Sequence, residues 1–150
     1  PEALLSHTPL LLGTDGAKMS KSAGNAIALR ASEDETAQLI RSAKTDSTRR
    51  ITYEPTTRPE VANLLLMAAS CTGADPGELA DQVGDSGAGS LKRVVTEAVN
   101  EHLRPLRQRR RELEGADDYL RQVLAAGNAH ANAIADRTLQ QVQEAMGLTY

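Results

Sequence analysis

From Ser90 to Leu113 the apolar residues Leu91, Val94, Val95, Ala98, Val99, Leu103 and Leu106 recur at the spacing of one face of a 3.6-residue helix. From Asp117 to Met146 the residues Leu120, Val123, Leu124, Ala131, Ile134, Leu139, Val142 and Met146 form a similar stripe, and Gly147 closes it. Two long amphipathic stripes commit this part of the chain to α-helix, because each must find a facing surface to leave water. A turn at Gly115 then predicts two helices packed antiparallel, and Pro105 predicts a kink in the first of them.

Upstream, helix starts are marked one by one. Ser32 with Glu35 has the spacing of a capping box and predicts a helix to about Lys44. Thr57 with Glu60 repeats the spacing, and Asp75, Pro76 and Glu78 repeat it with proline at the first helical position. Gly73 and Gly84 are placed to stop these second and third helices. The expected fold class is therefore mostly α, with residues 32–150 forming a helical bundle.

Residues 1–31 do not continue that pattern. Leu10, Leu11 and Leu12 form a short apolar run ended by Gly13, and Thr14, Asp15 and Gly16 are turn residues, so a buried strand leading into an exposed loop is expected. A lone strand needs a sheet, and no later segment offers one. Because the chain opens on Pro1 without an initiator methionine, the partner strands are expected in a preceding segment.

Composition narrows the classes. With three Tyr and neither Phe nor Trp, the core must be built from small aliphatic side chains. A formal net charge of -3 gives no global attraction to a polyanion, so any such site must be local. The single cysteine, Cys71, closes no intrachain disulfide and suits a reducing compartment. No apolar run reaches the roughly 18 residues of a membrane span, so a cytoplasmic protein without a membrane partner is expected.

Of only four lysines, two fall in Lys18-Met19-Ser20-Lys21-Ser22, which is followed by Gly24 and Asn25. Two ammonium groups three positions apart, with interleaved hydroxyls and a glycine permitting close backbone approach, suit a polyphosphate; a solvated flexible loop is the plain alternative. The spacing from Gly13 to Lys18 is not that of a P-loop.

The pentapeptide is identical to the KMSKS motif of the class I aminoacyl-tRNA synthetases. The segments Ile40 to Ser47, Pro59 to Leu65, Leu103-Arg104-Pro105, Thr138-Leu139 and Gly147-Leu148 extend the likeness, and the chain resembles the C-terminal part of the bacterial tryptophanyl enzymes of that family. The resemblance implies residues 1–31 as the end of a Rossmann-like catalytic domain and residues 32–150 as an anticodon-binding helical domain. It implies ATP binding by Lys18, Met19, Ser20, Lys21 and Ser22. Lys21, assisted by Lys18, would stabilise charge on the triphosphate as the carboxylate of tryptophan attacks the α-phosphorus. Ser20 and Ser22 would donate to phosphates or order the loop, Met19 would anchor it, and Asn25 would hold the turn. Mg²⁺ would accompany ATP; tRNA(Trp) and tryptophan would be the other partners of a homodimer assembled through a missing domain. The family's His-rich ATP motif and amino-acid pocket are absent here, so this chain alone is expected to be inactive. A free-standing helical RNA-binding module, or another class I synthetase such as a tyrosyl enzyme, is the alternative.

Arg104, Arg107 and Arg111 would share one face of an unbroken helix, where arginine forks suit tRNA phosphates, although such a cluster is also what a solvated face looks like. Thr45, Asp46 and Ser47 read as a helix-end turn, and the resemblance gives them a part in coupling the helices to the lysine loop. His7, His102 and His130 are too far apart in sequence to suggest a metal site, and none is expected.

Overall fold

The computed structural model describes residues 2–4 and 10–148; His7 lies outside them. Its elements in chain order are α1 (Glu33–Ser42), α2 (Pro59–Thr72), α3 (Pro76–Val83), a 3-10 turn (Gly84–Ser86), α4 (Gly87–Leu113) and α5 (Asp117–Ala145). The chain divides into two compact units, residues 1–107 and 108–150.

In the first unit the expected caps decide two of three helix starts. The Ser32 hydroxyl accepts from the Glu35 N–H at 3.1 Å while the Glu35 carboxylate accepts from the Ser32 N–H at 2.7 Å, completing the capping box of α1. Asp75 accepts from the N–H groups of Gly77 and Glu78 at the start of α3. Thr57 does not cap α2. Its hydroxyl donates to Glu54 at 2.6 Å, Glu60 is drawn to Lys44, and Pro59 opens the helix after Arg58. α1 ends at Ser42, two residues short of expectation, because the Lys44 N–H is spent on the Thr14 carbonyl at 2.7 Å instead of continuing the helix. Gly73 closes α2 in the left-handed region at φ 76°.

These helices enclose a core of Ile40 from α1 and Ala43 just after it, Leu64, Leu65 and Ala68 from α2, Leu79 and Val83 from α3, and Leu91, Val95, Val99 and Leu103 from α4, with Ile51 from the connection. All are aliphatic, as the composition requires. The predicted stripe of α4 is thus the buried one, and the helix continues through Pro105, which lies on an exposed position where its missing donor faces water.

Two expectations are corrected. No strand forms among the described residues: Leu12 makes only an isolated antiparallel bridge with Lys18. A strand persists by sharing its N–H and C=O groups with neighbours, but here the Asn63 side chain takes both from Leu12, accepting from its N–H at 2.7 Å and donating to its carbonyl at 3.1 Å. The strand–loop remnant of a Rossmann-like domain is therefore a loop pinned to α2. In the second unit, α5 forms over the predicted range but buries none of its side chains; Leu124 is 68% and Met146 66% exposed. Periodicity records which face is able to be buried, not that it is.

Candidate functional site

The lysine loop hangs from an internal scaffold. Asp15 accepts from the Ala17 N–H at 2.9 Å and from Asn25 Nδ2 at 2.8 Å, and these donors hold its carboxyl below the ordinary aspartate range, the Asn25 bond foremost. Asn25 Nδ2 also donates to the Lys18 carbonyl at 3.1 Å, and Asn25 Oδ1 accepts from the Ser20 N–H at 2.8 Å. The Thr14 N–H donates to the Asn25 carbonyl at 2.9 Å, and the Gly13 N–H to the Ala17 carbonyl at 2.7 Å. Gly13 is required: a Cβ there would lie 2.3 Å from the Asn25 carboxamide.

Beneath this scaffold lies a seat made by the helices. Asn63 of α2 grips Leu12, and the residue after α1's last turn, Lys44, grips Thr14. Lys44 also pairs with Glu60 of α2 at 2.8 Å, which lowers the Glu60 carboxyl and raises the Lys44 ammonium from their ordinary values. Met19 and Ile27 are half-buried against the core. A further brace follows. Arg58 holds Asp46 through two nitrogens at 2.7 and 2.8 Å, depressing the Asp46 carboxyl, and also donates to the Arg50 carbonyl and the Thr52 hydroxyl. Asp46 in turn accepts from the Thr48 N–H. The turn after α1 is thus fixed to the start of α2, next to the residue that holds Thr14.

Above the scaffold, Lys18 and Lys21 are exposed, and among the described residues neither ammonium has a hydrogen-bond or ion-pair partner. Ser22 is exposed with them, its hydroxyl 3.4 Å from that of Ser20. The Ser20 hydroxyl accepts from the Ala23 N–H at 3.1 Å, which gives it a turn-forming task. The arrangement is two exposed cations on a backbone held from below, with no carboxylate among the described residues paired to either. Asp15, Lys44, Glu60 and Asn63 were not singled out by sequence reasoning. Asp15, in the turn between Gly13 and Gly16, was the one available signal, and the others are brought to the loop only by the helices.

The arginines separate. Arg107 is 5% exposed, with Nε donating to the Ala31 carbonyl at 2.9 Å and its other nitrogens to the Asn100 carboxamide oxygen and the Thr36 hydroxyl, each at 2.8 Å. It is a buried brace between α4 and the start of α1, with each of its three nitrogens donating to a protein acceptor. Arg104 is exposed and paired with Glu101; Arg111 is exposed and belongs to the second unit. Of the three, Arg107 alone is buried. His102 lies beside the Cys71 carbonyl, and no group of three or more His, Cys, Asp or Glu among the described residues is placed to hold a metal ion.

Comparison with known proteins gives the architecture its context. The family model described as tRNA synthetases class I (W and Y) matches residues 1–104. That match runs unbroken from the lysine loop through α1, α2, α3 and most of α4. It overturns the expected fold class of an anticodon-binding bundle preceded by a Rossmann-like remnant: the helices through Arg104 lie inside the matched segment. The tryptophan–tRNA ligase of Treponema pallidum is 37% identical over 160 residues, covering 99% of this chain and 45% of that protein. The corresponding ligase of Mycobacterium leprae is 38% identical over 133 residues, covering 87% of this chain and 39% of that protein. Among solved structures, tryptophanyl-tRNA synthetase from Campylobacter jejuni, complexed with ADP and tryptophan, aligns with a TM-score of 0.75 at 30% identity, over 98% of this chain and 46% of that one. The chain spans less than half the length of these relatives.

Proposed function

The chain belongs to the class I tRNA synthetases (W and Y), and from that premise we propose that it is part of a tryptophan–tRNA ligase in which the 18–22 loop binds the phosphates of ATP. The observation that carries the reading is the pair of exposed, unpartnered ammonium groups of Lys18 and Lys21 on a backbone locked by Asn25. A carboxylate oxygen of tryptophan bonds to the α-phosphorus, the bond from that phosphorus to the bridging oxygen breaks, and pyrophosphate leaves with the electron pair. Negative charge grows on the leaving phosphates as that bond lengthens. Cations that approach them more closely at that moment than in the ground state lower the barrier. Lys21 supplies most of this help and Lys18 assists, while Ser22 donates to a phosphate oxygen and Met19 keeps the base of the loop against the core. Mg²⁺ would accompany ATP, held mainly by the nucleotide's own phosphates.

For tRNA, the exposed Arg104 and Arg111 are the candidates of the original three, and the burial of Arg107 removes it from that role. Replacing either exposed arginine by alanine should reduce the salt dependence of tRNA binding by about one counterion.

The decisive experiment is amino-acid-dependent ATP–pyrophosphate exchange by the intact protein that contains this chain, with tryptophan, tyrosine, methionine and isoleucine compared. Exchange with tryptophan alone is expected. Lys21→Ala should lower kcat by about 10²- to 10³-fold and leave the KM for tryptophan unchanged. Exchange supported only by tyrosine would replace the substrate, and exchange with none of the four would remove the ligase reading.

A further inference from the structure

We propose that Asn25 is the positioning residue of the lysine loop and that Asp15 sets the orientation in which its carboxamide works. The proposal rests on the phosphate-binding reading of that loop and adds the residues that aim it.

The Asn25 side chain is buried, 3% accessible, while Lys18, Lys21 and Ser22 of the same loop are exposed. Its two ends bracket Met19. Oδ1 accepts from the Ser20 N–H and Nδ2 donates to the Lys18 carbonyl, so one amide group fixes the two peptides on either side of Met19, directly after Lys18 and one residue before Lys21. Both Nδ2 hydrogens are used, one on Lys18 and one on Asp15. None is left for a nucleotide, so Asn25 acts through the lysines and does not itself touch phosphate.

A carboxamide has nearly the same shape at its two ends, and its partners decide which end points where. The Asp15 carboxylate and the Lys18 carbonyl accept only; each demands Nδ2. Oδ1 is then left facing the Ser20 N–H, which demands an acceptor. Asp15 is itself steadied by the Ala17 N–H. Turning the carboxamide over would break all three of its bonds at once and set oxygen against carboxylate. Aspartate, leucine or alanine at position 25 lacks the donor, the acceptor or both. Gly13 completes the seat, since any side chain there would occupy the carboxamide's position.

The test uses the intact protein and reads two quantities, tryptophan-dependent ATP–pyrophosphate exchange and hydrogen–deuterium exchange of the Ser20 amide. Asn25→Ala should lower kcat by about 10- to 100-fold with the KM for tryptophan unchanged, and should speed Ser20 amide exchange by about tenfold or more. Gly13→Ala, which evicts the carboxamide without altering it, should do the same. Asn25→Asp should fall at least as far, because two carboxylates then face each other. Adding Asp15→Asn to it removes the repulsion and returns a donor between positions 15 and 25, though not to the Lys18 carbonyl, so this reciprocal double variant should recover part of the loss, about threefold or more in kcat over Asn25→Asp, and stay below the parent. Wild-type kcat in Asn25→Ala, alongside a large loss in Lys21→Ala, would overturn the proposal, as would a reciprocal double variant no faster than Asn25→Asp. Should Lys21→Ala keep full activity, the phosphate reading fails instead. Asn25 is then judged by the Ser20 amide alone: unchanged protection in Asn25→Ala refutes it, and lost protection leaves it as the residue that orders the loop.

Discussion

Arg107 carries a full charge in the interior with three neutral acceptors and no carboxylate beside it. Truncating it would strand the Ala31 carbonyl, the Thr36 hydroxyl and the Asn100 carboxamide at once, so Arg107→Ala should cost about 2–4 kcal/mol in denaturant unfolding. Arg107→Lys should recover only part of that, since a single ammonium does not reproduce the planar fork, whereas Arg104→Ala should stay within about 0.5 kcal/mol. The depressed carboxyls make a second residue-scale prediction. Asp46 and Glu60 bind protons less readily when folded than when unfolded, because Arg58 and Lys44 donate to them. Their stabilisation is therefore complete above the ordinary carboxylate range and is lost as pH falls below about 4. Urea midpoints followed from about pH 6 to about pH 3 should show a shallower acid decline in Asp46→Asn than in the parent.

At the scale of elements, the caps legible in the sequence differ in consequence. Ser32→Ala removes half of a reciprocal capping box and Asp75→Ala an acceptor of two N–H groups; each should cost about 1 kcal/mol by thermal or denaturant melting. Thr57→Ala, at a position of the same apparent pattern, should cost less than about 0.5 kcal/mol, because its hydroxyl serves only Glu54. The two true caps were readable because a cap is a contact within three residues. Thr57 misled because Glu60, its expected reciprocal partner, is claimed by Lys44 from another part of the chain. The early end of α1 has the same origin, a backbone N–H spent on Thr14.

For the molecule as a whole, the second unit presents Leu120, Val123, Leu124, Ile134, Leu139, Val142 and Met146 on a helix that buries none of them. Leu124→Gln should accordingly change the stability of this chain by no more than about 0.5 kcal/mol. A loss above about 2 kcal/mol in the intact protein would mean that the stripe is covered there. No helix among the described residues is long and apolar enough to cross a membrane. By itself the sequence determined the helical character of residues 33–145, two caps, the aliphatic core and the lysine loop as the place to look for chemistry, since all of these follow from neighbours in the chain or from residue type. Tertiary structure alone decided that Leu12 would be held by Asn63 and not by a strand, that Arg107 would be a buried brace, and that Asp15 would hold the Asn25 carboxamide. Those outcomes depend on which donors and acceptors folding brings within 3 Å of one another across as many as 76 residues of chain, and no local pattern encodes that competition.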